Sequence, residues 1–327
     1  MNRRRGSRAA LLAFAVGLSA CGSSVATVGP SATVSASASV ATADDSLPSL
    51  PLVAAATPTA SPRPTATPTR PATPRPSPTV TPVPTPTPLP WWMTPPKVTI
   101  PAAVVYPAGA LPASGESAPL VYSGSRKYPA IAITVDDCLS KDAVLADLAV
   151  FKRYHVNATF FPIGSAAARN PSLWKEVDAA HFPIGNHTYD HKSFLAQTYT
   201  QIYADIVRDN ETMASIVGHP IMPFLRPPGG GQNATVLKAA AAAGERAVVD
   251  WNASDGDTGA NARNVPVLII QGERGRYGSI LLVHANGEYV TRALPWIINY
   301  YSSRGYVFET LGQLLGVPGP VPFGPES

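Results

Sequence analysis

Proline is the feature that most limits what the first third of the chain can fold into. Half of the 36 prolines precede Pro101, interleaved with Thr, Ala and Ser. A segment of this composition buries too little apolar surface to offset the entropy of ordering it, and dense proline favours an extended spacer. The sequence therefore predicts a disordered Pro/Thr/Ala-rich linker over 22–97, a folded domain over 98–318 and a flexible tail over 319–327.

Residues 1–21 have the pattern of an export signal. Four arginines within residues 1–8 precede an apolar run, Ala9–Ala20. A run of about a dozen residues is too short to span a bilayer, which takes ~20, but suits the apolar region of a secretory signal. Its end, Leu18–Cys21, resembles the lipobox of bacterial lipoproteins. The resemblance implies a lipoprotein signal peptide, diacylation of Cys21 and an exported, membrane-anchored protein facing the cell wall or periplasm. An ordinary signal peptide is the alternative.

The net charge of +4 comes from those four arginines. Without them the 25 basic residues are reduced to 21, which equals the number of acidic residues. Because a nucleic-acid partner requires a basic face, we expect no nucleic acid among the partners.

From Pro129 onward, short apolar segments alternate with longer helical ones, which is typical of an α/β fold with a parallel sheet. The predicted strands are Ala130–Val135, Ala158–Phe161, Phe182–Gly185, Pro223–Leu225, Ala247–Trp251, Ser279–Val283 and Tyr306–Phe308. The predicted helices are Lys141–Arg153, Pro171–Ala180, Gln197–Val217, Ala234–Ala243, Val265–Gly272 and Arg292–Ser303. Seven such strands can close into a distorted seven-stranded (β/α) barrel, related to the eight-stranded form.

Conspicuous polar residues follow five of these strands. They are Asp136 with Asp137, His187, Arg226, Asp255 with Asp257, and His284. In α/β barrels the carboxyl ends of the strands converge on one mouth, and that end carries the chemistry. The sequence therefore predicts a single site built from these side chains.

A metal ion is the cofactor that this residue set favours. His187 and His191 are four residues apart and would face the same side of a helical turn. Either Asp136 or Asp137 can complete a His, His, Asp set, the form of a catalytic zinc site with an open position. Successive strand residues point to opposite faces, so the other aspartate is free to handle a proton. Capping of the following helix is the alternative for the aspartate pair.

Five segments in order carry a resemblance to a known family. They read ITVDD, IGNHTYDH, FLRPPGG, VVDWNASDGD and SILLVHAN. Over about Pro129 to Leu315, the chain resembles the polysaccharide deacetylases, carbohydrate esterase family four. The resemblance implies a metal-dependent hydrolase, with zinc as the expected divalent metal, that removes N-acetyl groups from an acetylated polysaccharide such as peptidoglycan or a chitin-like glycan.

The resemblance also implies the role of each proton-transfer group. Asp136 would be the general base that activates the water at the metal, and Arg226 would pair with it. His284 would be the general acid that protonates the leaving amine. Asp257 would pair with His284 and raise its pKa, although Asp255 competes for that position.

The implied ligands and substrate contacts complete the set. Asp137, His187 and His191 would bind the metal, and Thr188 would brace their loop. The implied substrate-binding residues are Leu282 beside the acetyl methyl, a backbone amide near Gly229 at the oxyanion, and Trp251. The family usually has an aromatic residue at Gly229, a Gly at Cys138 and a Trp at Thr258. These departures concern the shape of the substrate subsites more than the chemistry.

Three questions remain open at the level of sequence. The same catalytic set can cleave O-acetyl esters of xylan or a surface polysaccharide, and a non-catalytic glycan-binding lipoprotein can keep the fold. Retention of every implied catalytic group argues against the second alternative. Cys138 is either a fourth ligand or nucleophile, or a small apolar filler in a turn, which we favour.

Overall fold

The computed structural model describes residues 89–101, 104, 106, 111–112 and 115–319. The signal segment 1–21 with Cys21, the linker up to residue 88 and the tail from residue 320 lie outside the described residues. Among the helices of this described part, none combines the length and the apolar character needed to span a bilayer.

The domain alternates strands and helices along the described chain. The strands are β1 (Leu120–Val121), β2 (Ala130–Asp137), β3 (Ala158–Pro162), β4 (Phe224–Leu225), β5 (Ala247–Val249), β6 (Ala253–Ser254), β7 (Ser279–His284) and β8 (Val307–Phe308). The α-helices are α1 (Lys141–Tyr154), α2 (Gly164–Ala167), α3 (Pro171–Ala179), α4 (Tyr199–Val217), α5 (Ala234–Ala242), α6 (Val265–Gly272), α7 (Glu288–Ser302) and α8 (Leu311–Leu315).

The strands form two parallel sheets. One has the order β1-β5-β4, and the other has the order β3-β2-β7-β6 with β8 paired to the start of β2. In the second sheet Asp136 is in register with Phe161 on one side and with His284 on the other. The α/β class with parallel pairing is therefore confirmed, and the carboxyl ends of β2, β3 and β7 meet at one edge.

The predicted count of seven barrel strands is not confirmed. The segment predicted as a strand at Phe182–Gly185 makes only an isolated bridge from Ile184 to Phe160. Phe160 N donates to the Pro183 carbonyl, and Gly185 N donates to the Phe160 carbonyl. Pro183 has no N–H with which to extend this pairing, so it stops after one exchange. The short strands β1 and β6 were not predicted.

Strand β2 is buried on both faces and reads as a continuous apolar run, as central parallel strands do. Its alternate residues point to opposite sides. Ile131, Ile133 and Val135 belong to the core cluster that lies under α1 and α7. Ala130 and Ala132 belong to a second cluster, which includes residues of β4, β5 and β7. The strand end that carries Asp136 and Asp137 is therefore fixed from both sides.

The tryptophan pair in the segment before the domain packs against α7. Trp91 and Trp92 belong to a short 3₁₀ helix, Trp91–Met93. The ring of Trp91 lies edge-on to that of Trp296, with 4.8 Å between centroids, and Trp296 Nε1 donates to the Trp92 carbonyl at 3.3 Å. The pair therefore packs against the domain.

A buried carboxyl group in the turn between α5 and β5 makes stability depend on pH. Glu245 is 2% exposed, and its Oε1 accepts from Asn210 Nδ2 at 2.8 Å. No described residue bonds its other oxygen. Burial raises the pKa of Glu245 from 4.5 to about 8, so the folded state favours the protonated acid. The stability from this preference is fully present below pH 4.5 and is lost as pH rises through 8.

We predict that Glu245→Gln raises the melting temperature at pH 9 relative to the wild type and changes it little at pH 4. The amide keeps the oxygen that Asn210 requires and removes the cost of a buried charge, on the order of 1–3 kcal/mol. Calorimetric scans at both pH values measure this. Glu211→Gln, an exposed change on α4, is the matched control. An equal loss of stability at both pH values in Glu245→Gln would contradict the assignment.

Candidate active site and metal centre

A buried ion pair joins the ends of β2 and β4. Arg226 is fully buried and Asp136 is 2% exposed, and Arg226 Nη1 donates to Asp136 Oδ1 at 2.8 Å. The same nitrogen donates to Thr134 Oγ1 at 2.8 Å, and Nε donates to the Val249 carbonyl at 2.9 Å. Because these contacts fix the plane of the guanidinium, the side chain of Asp136 is held in one orientation.

Asp137, His187 and His191 form a compact cluster beside this pair. Asp137 Oδ1 lies 3.2 Å from Nε2 of each histidine, and one ligand atom from each of the three residues lies within 4.8 Å of the others. Burial alone would raise the pKa of Asp137, but its bonds to the two histidines and to Asn286 hold it well below the usual range. The cluster therefore presents a carboxylate between two imidazoles.

The hydrogen bond at Nδ1 of His187 aims its Nε2 at Asp137, where it can act as a ligand. Its Nδ1 lies 2.7 Å from the carbonyl oxygen of Arg226, an acceptor only, so Nδ1 carries the proton. With a proton on Nδ1, Nε2 is the ring atom that faces Asp137 and can bind a metal ion once it carries no proton. A carbonyl partner of this kind is what orients histidine ligands at metal sites. The donor set and its orientation therefore fit a divalent metal such as zinc.

The backbone around the cluster is strained. Asp137, Cys138, Thr188 and His191 all have positive φ, between 53° and 66°, a region that residues with a Cβ adopt at a cost. Thr188 stabilises its turn by accepting from His191 N at 3.0 Å. In this backbone conformation Nε2 of His191 reaches Asp137, and the His191 side chain is one third exposed.

Helix α4 supports the loop from residue 186 to 191 with carboxylates. Asp209 is fully buried, and its Oδ2 accepts from His187 N at 3.1 Å. Asp205 Oδ1 accepts from Tyr189 N at 2.5 Å. Asn186 accepts from Thr188 N at 2.8 Å. These residues were missed in the sequence, although Asp209 occupies an apolar position in the buried stripe of α4, a pattern that could have revealed it.

A second, partly buried pair stands at the end of β7. His284 Nδ1 lies 2.7 Å from Asp257 Oδ1, and His284 N donates to Asp257 Oδ2 at 2.6 Å. Burial alone would lower the pKa of His284, but Asp257, Asp136 and Asp137 raise it above its ordinary value. His284 therefore favours the protonated imidazolium, with Nε2 as its remaining donor.

The structure brings Asp257, and not Asp255, to His284. Asp255 is fully buried, and its Oδ1 accepts from Asp257 N at 3.3 Å. Burial, followed by the charge of Asp257, raises the pKa of Asp255 well above its ordinary value. The left-handed Gly256, with φ of 75°, turns the chain between the two, so they do not share one direction as they would in a strand.

The three expected substrate-binding residues lie around the same rim but make few contacts with its charged groups. Leu282 is 3% exposed and shares a face of β7 with His284. Gly229 has φ of 60° in the loop after Arg226, and open space surrounds the position of a Cβ there. The ring of Trp251 lies 5.7 Å from the Arg226 guanidinium.

Cys138 points away from the cluster. It is 5% exposed and belongs to the core cluster under α1, and its Sγ donates to the Val135 carbonyl at 3.5 Å. Burial raises the pKa of the thiol well above its ordinary value, which disfavours the thiolate that a ligand or nucleophile needs. Cys138 is a small buried filler in a left-handed turn.

The arrangement is that of an α/β domain with a candidate metal centre, and comparison with known proteins gives its family. The polysaccharide deacetylase family model matches residues 123–248. A peptidoglycan-N-acetylglucosamine deacetylase of Bacillus cereus is 32% identical over 189 residues, which are 57% of this chain and 87% of that protein. The chain therefore belongs to the polysaccharide deacetylase family.

Two further similarities limit what this membership implies. The chain is 29% identical over 188 residues to the deacetylase PgdA of Listeria monocytogenes, which is 57% of this chain but only 39% of that protein. A pseudoenzyme of carbohydrate esterase family four from Bacillus anthracis, BA3943, shares the fold with a TM-score of 0.58 at 22% identity, over 62% of this chain and 70% of that one. The fold alone therefore does not establish activity, and the site residues decide it.

We predict that the chain binds one zinc ion and that His187→Ala or His191→Ala weakens this binding. The loss of affinity should exceed the ~10–100-fold that is typical when a hydrogen-bond partner of a metal ligand is removed. Each change removes one of three converging donors. Equilibrium dialysis with metal analysis measures the affinity. His219→Ala, which removes a histidine paired with Asp178, and Cys138→Ser are controls that keep the metal. Native affinity in both site variants would show that the metal lies elsewhere.

Proposed function

We propose that the chain is a metal-dependent deacetylase that hydrolyses the N-acetyl groups of a polysaccharide, with peptidoglycan or a chitin-like glycan as substrate. One observation carries the proposal. A carboxylate held by Arg226 and an imidazolium held by Asp257 stand in register on adjacent parallel strands, next to a His, His, Asp cluster. This is the set that amide hydrolysis requires, since one group must take a proton and another must supply one.

Asp137, His187 and His191 are the proposed ligands. A divalent ion held by them, zinc being the one that the donors favour, would lower the pKa of a coordinated water and polarise the acetyl carbonyl. A backbone amide near Gly229 would add a donor for the developing oxyanion. Leu282 and Trp251 would contact the substrate.

The two proton transfers are assigned to Asp136, which is paired with Arg226, and to His284, which is paired with Asp257. Asp136 takes a proton from water as the water oxygen bonds to the acetyl carbon. His284 gives its proton to the sugar nitrogen as the carbon–nitrogen bond breaks, which releases acetate and a free amine. Arg226 orients Asp136. Asp257 stabilises the charged form of His284, which is the state that its step needs.

The targeting features extend the proposal to location. The lipobox-like end of the signal at Cys21 supports a lipoprotein anchor, and the Pro/Thr-rich linker over 22–97 supports a spacer between membrane and catalytic domain, 98–318. An exported enzyme on such a tether would reach cell-wall glycan. The peptidoglycan deacetylases among its relatives support that substrate.

We predict that Asp136→Asn lowers acetate release ~100- to 10,000-fold, the contribution typical of a general base, while zinc binding is kept. The amide preserves the shape and one acceptor oxygen for Arg226 but cannot take a proton. Acetate release from N-acetylated glycan and metal content are measured on the same samples. Wild-type rates in the variant would contradict the assignment of the base.

We predict that Asp257→Asn shifts the alkaline fall of kcat/KM to lower pH. The acid must be protonated, so activity falls as pH rises through the pKa of His284. Because Asp257 raises that pKa, its neutral replacement lowers it. A pH–rate profile measures the shift, and Asp178→Asn, which alters a remote aspartate–histidine pair, is the matched control. An unmoved alkaline limb would exclude this role of Asp257.

A further inference from the structure

Asp255 is a buried acid that neighbours the pair of Asp257 and His284. It directly follows β6, and its side chain is fully excluded from solvent. Its Oδ1 accepts from Asp257 N at 3.3 Å. Its Cβ lies 3.5 Å from the position that a Cβ at Gly272 would take, so the end of α6 packs closely against it. The side chain is therefore held in place but closed to any substrate.

The second oxygen of Asp255 lacks a donor. Oδ2 is buried, and no N–H or hydroxyl group in the described part of the chain bonds it. A buried carboxylate oxygen without a donor loses its hydration and gains nothing in return. The side chain within hydrogen-bonding reach of Asp255 is the carboxyl group of Asp257. Two carboxyl groups can share a hydrogen bond only when one of them carries a proton.

The contacts of Asp257 place this proton on Asp255. Oδ1 of Asp257 lies 2.7 Å from His284 Nδ1, and Oδ2 accepts from His284 N at 2.6 Å. A carboxyl group that accepts on both oxygens is in its ionised form. Burial, followed by the charge of Asp257, raises the pKa of Asp255 well above its ordinary value, which agrees with a proton on Asp255.

Asp147 on α1 is the other acid whose charge acts on both members of this carboxyl pair. It is fully buried, and its Oδ1 accepts from Thr291 Oγ1 on α7. Burial raises the pKa of Asp147 to about 7. Whenever Asp147 is ionised, its negative charge further disfavours a charge on Asp255.

We propose that Asp255 is a positioning residue that stays protonated and donates a hydrogen bond to the carboxylate of Asp257, which it holds against His284. The inference rests on the proposed function and adds one residue to its machinery. As a neutral donor, Asp255 stabilises the ionised form of Asp257 without placing a second negative charge beside the acid. Because Asp255 is closed to solvent, it acts on the reaction only through Asp257.

Two substitutions distinguish the protonated form from the charged one. Asp255→Asn keeps a neutral donor and an acceptor oxygen, so kcat is expected to stay close to that of the wild type. Asp255→Ala removes the donor and is expected to lower kcat roughly 10- to 100-fold, the factor that corresponds to one hydrogen bond to a charged group. KM stays unchanged in both. Asp142→Asn, an exposed change on α1, is the control.

A double-mutant cycle shows whether Asp255 acts through Asp257. The same Asp255→Ala change is made in an Asp257→Asn background, and kcat is measured by acetate release from N-acetylated glycan with the zinc-loaded full chain. The cost of Asp255→Ala is expected to shrink there, because the charge that the donor supports is gone. A merely structural Asp255 would lower kcat by the same factor in both backgrounds.

Infrared spectroscopy detects the proton without reference to activity. The difference between the wild type and Asp255→Asn, in deuterated buffer at neutral pH, is expected to contain the carbonyl band of a protonated carboxylic acid. The same difference in an Asp147→Asn background excludes the proton of Asp147 as its source. Absence of that band overturns the inference, and so does a kcat in Asp255→Asn as low as that in Asp255→Ala.

The outcomes separate this inference from the proposed function. A wild type that releases acetate but lacks the infrared band, or equal factors in the two backgrounds, overturns the role of Asp255 and leaves the deacetylase proposal standing. Absence of acetate release by the wild type from every N-acetylated glycan overturns the proposed function and the positioning role with it.

Discussion

The buried ion pair between Arg226 and Asp136 is the interaction on which the rest of the site depends. The guanidinium crosses the interior from the end of β4 to the end of β2 and bonds a carbonyl of β5 on the way. The Arg226 carbonyl accepts from His187, so one residue fixes both the proposed base and a proposed ligand. Removing one partner of such a pair leaves a buried charge and costs about 3–5 kcal/mol. Orientation of the base and integrity of the domain are therefore linked.

Rigid strands and strained loops contribute differently to the site. The parallel register of β2 and β7 places Asp136 opposite His284, and these two groups need no unusual backbone. The proposed ligands Asp137 and His191 instead lie in left-handed turns, which Thr188 and carboxylates of α4 stabilise from behind. Strain of this kind persists only where surrounding contacts determine the geometry. Here those contacts hold one donor atom each of Asp137, His187 and His191 close together.

The sequence predicted the parts of the site that follow from periodicity and topology. Polar residues after apolar strands had to meet at one edge, which is why Asp136, Arg226 and His284 could be grouped in advance. The choice between Asp255 and Asp257 depended on the turn at Gly256, whose φ no pattern reveals. The position of Asp209 in the apolar stripe of α4 marked it as unusual, but the sequence does not show that it bonds the backbone of His187. The strand predicted at residues 182–185 was not confirmed, because a pattern of apolar residues takes no account of the missing N–H of Pro183.

Release of acetate from N-acetylated peptidoglycan strands, measured before chelation, after chelation and after return of zinc, tests the central claim most directly. The account predicts that the chain releases acetate, that the chelator abolishes the release as it removes the metal, and that zinc restores it. Acetate release that continues after the metal has been removed would contradict the proposed metal dependence. A zinc-loaded chain that folds but releases no acetate from any N-acetylated glycan would contradict catalysis itself, and would make this a family member that kept the fold without the activity.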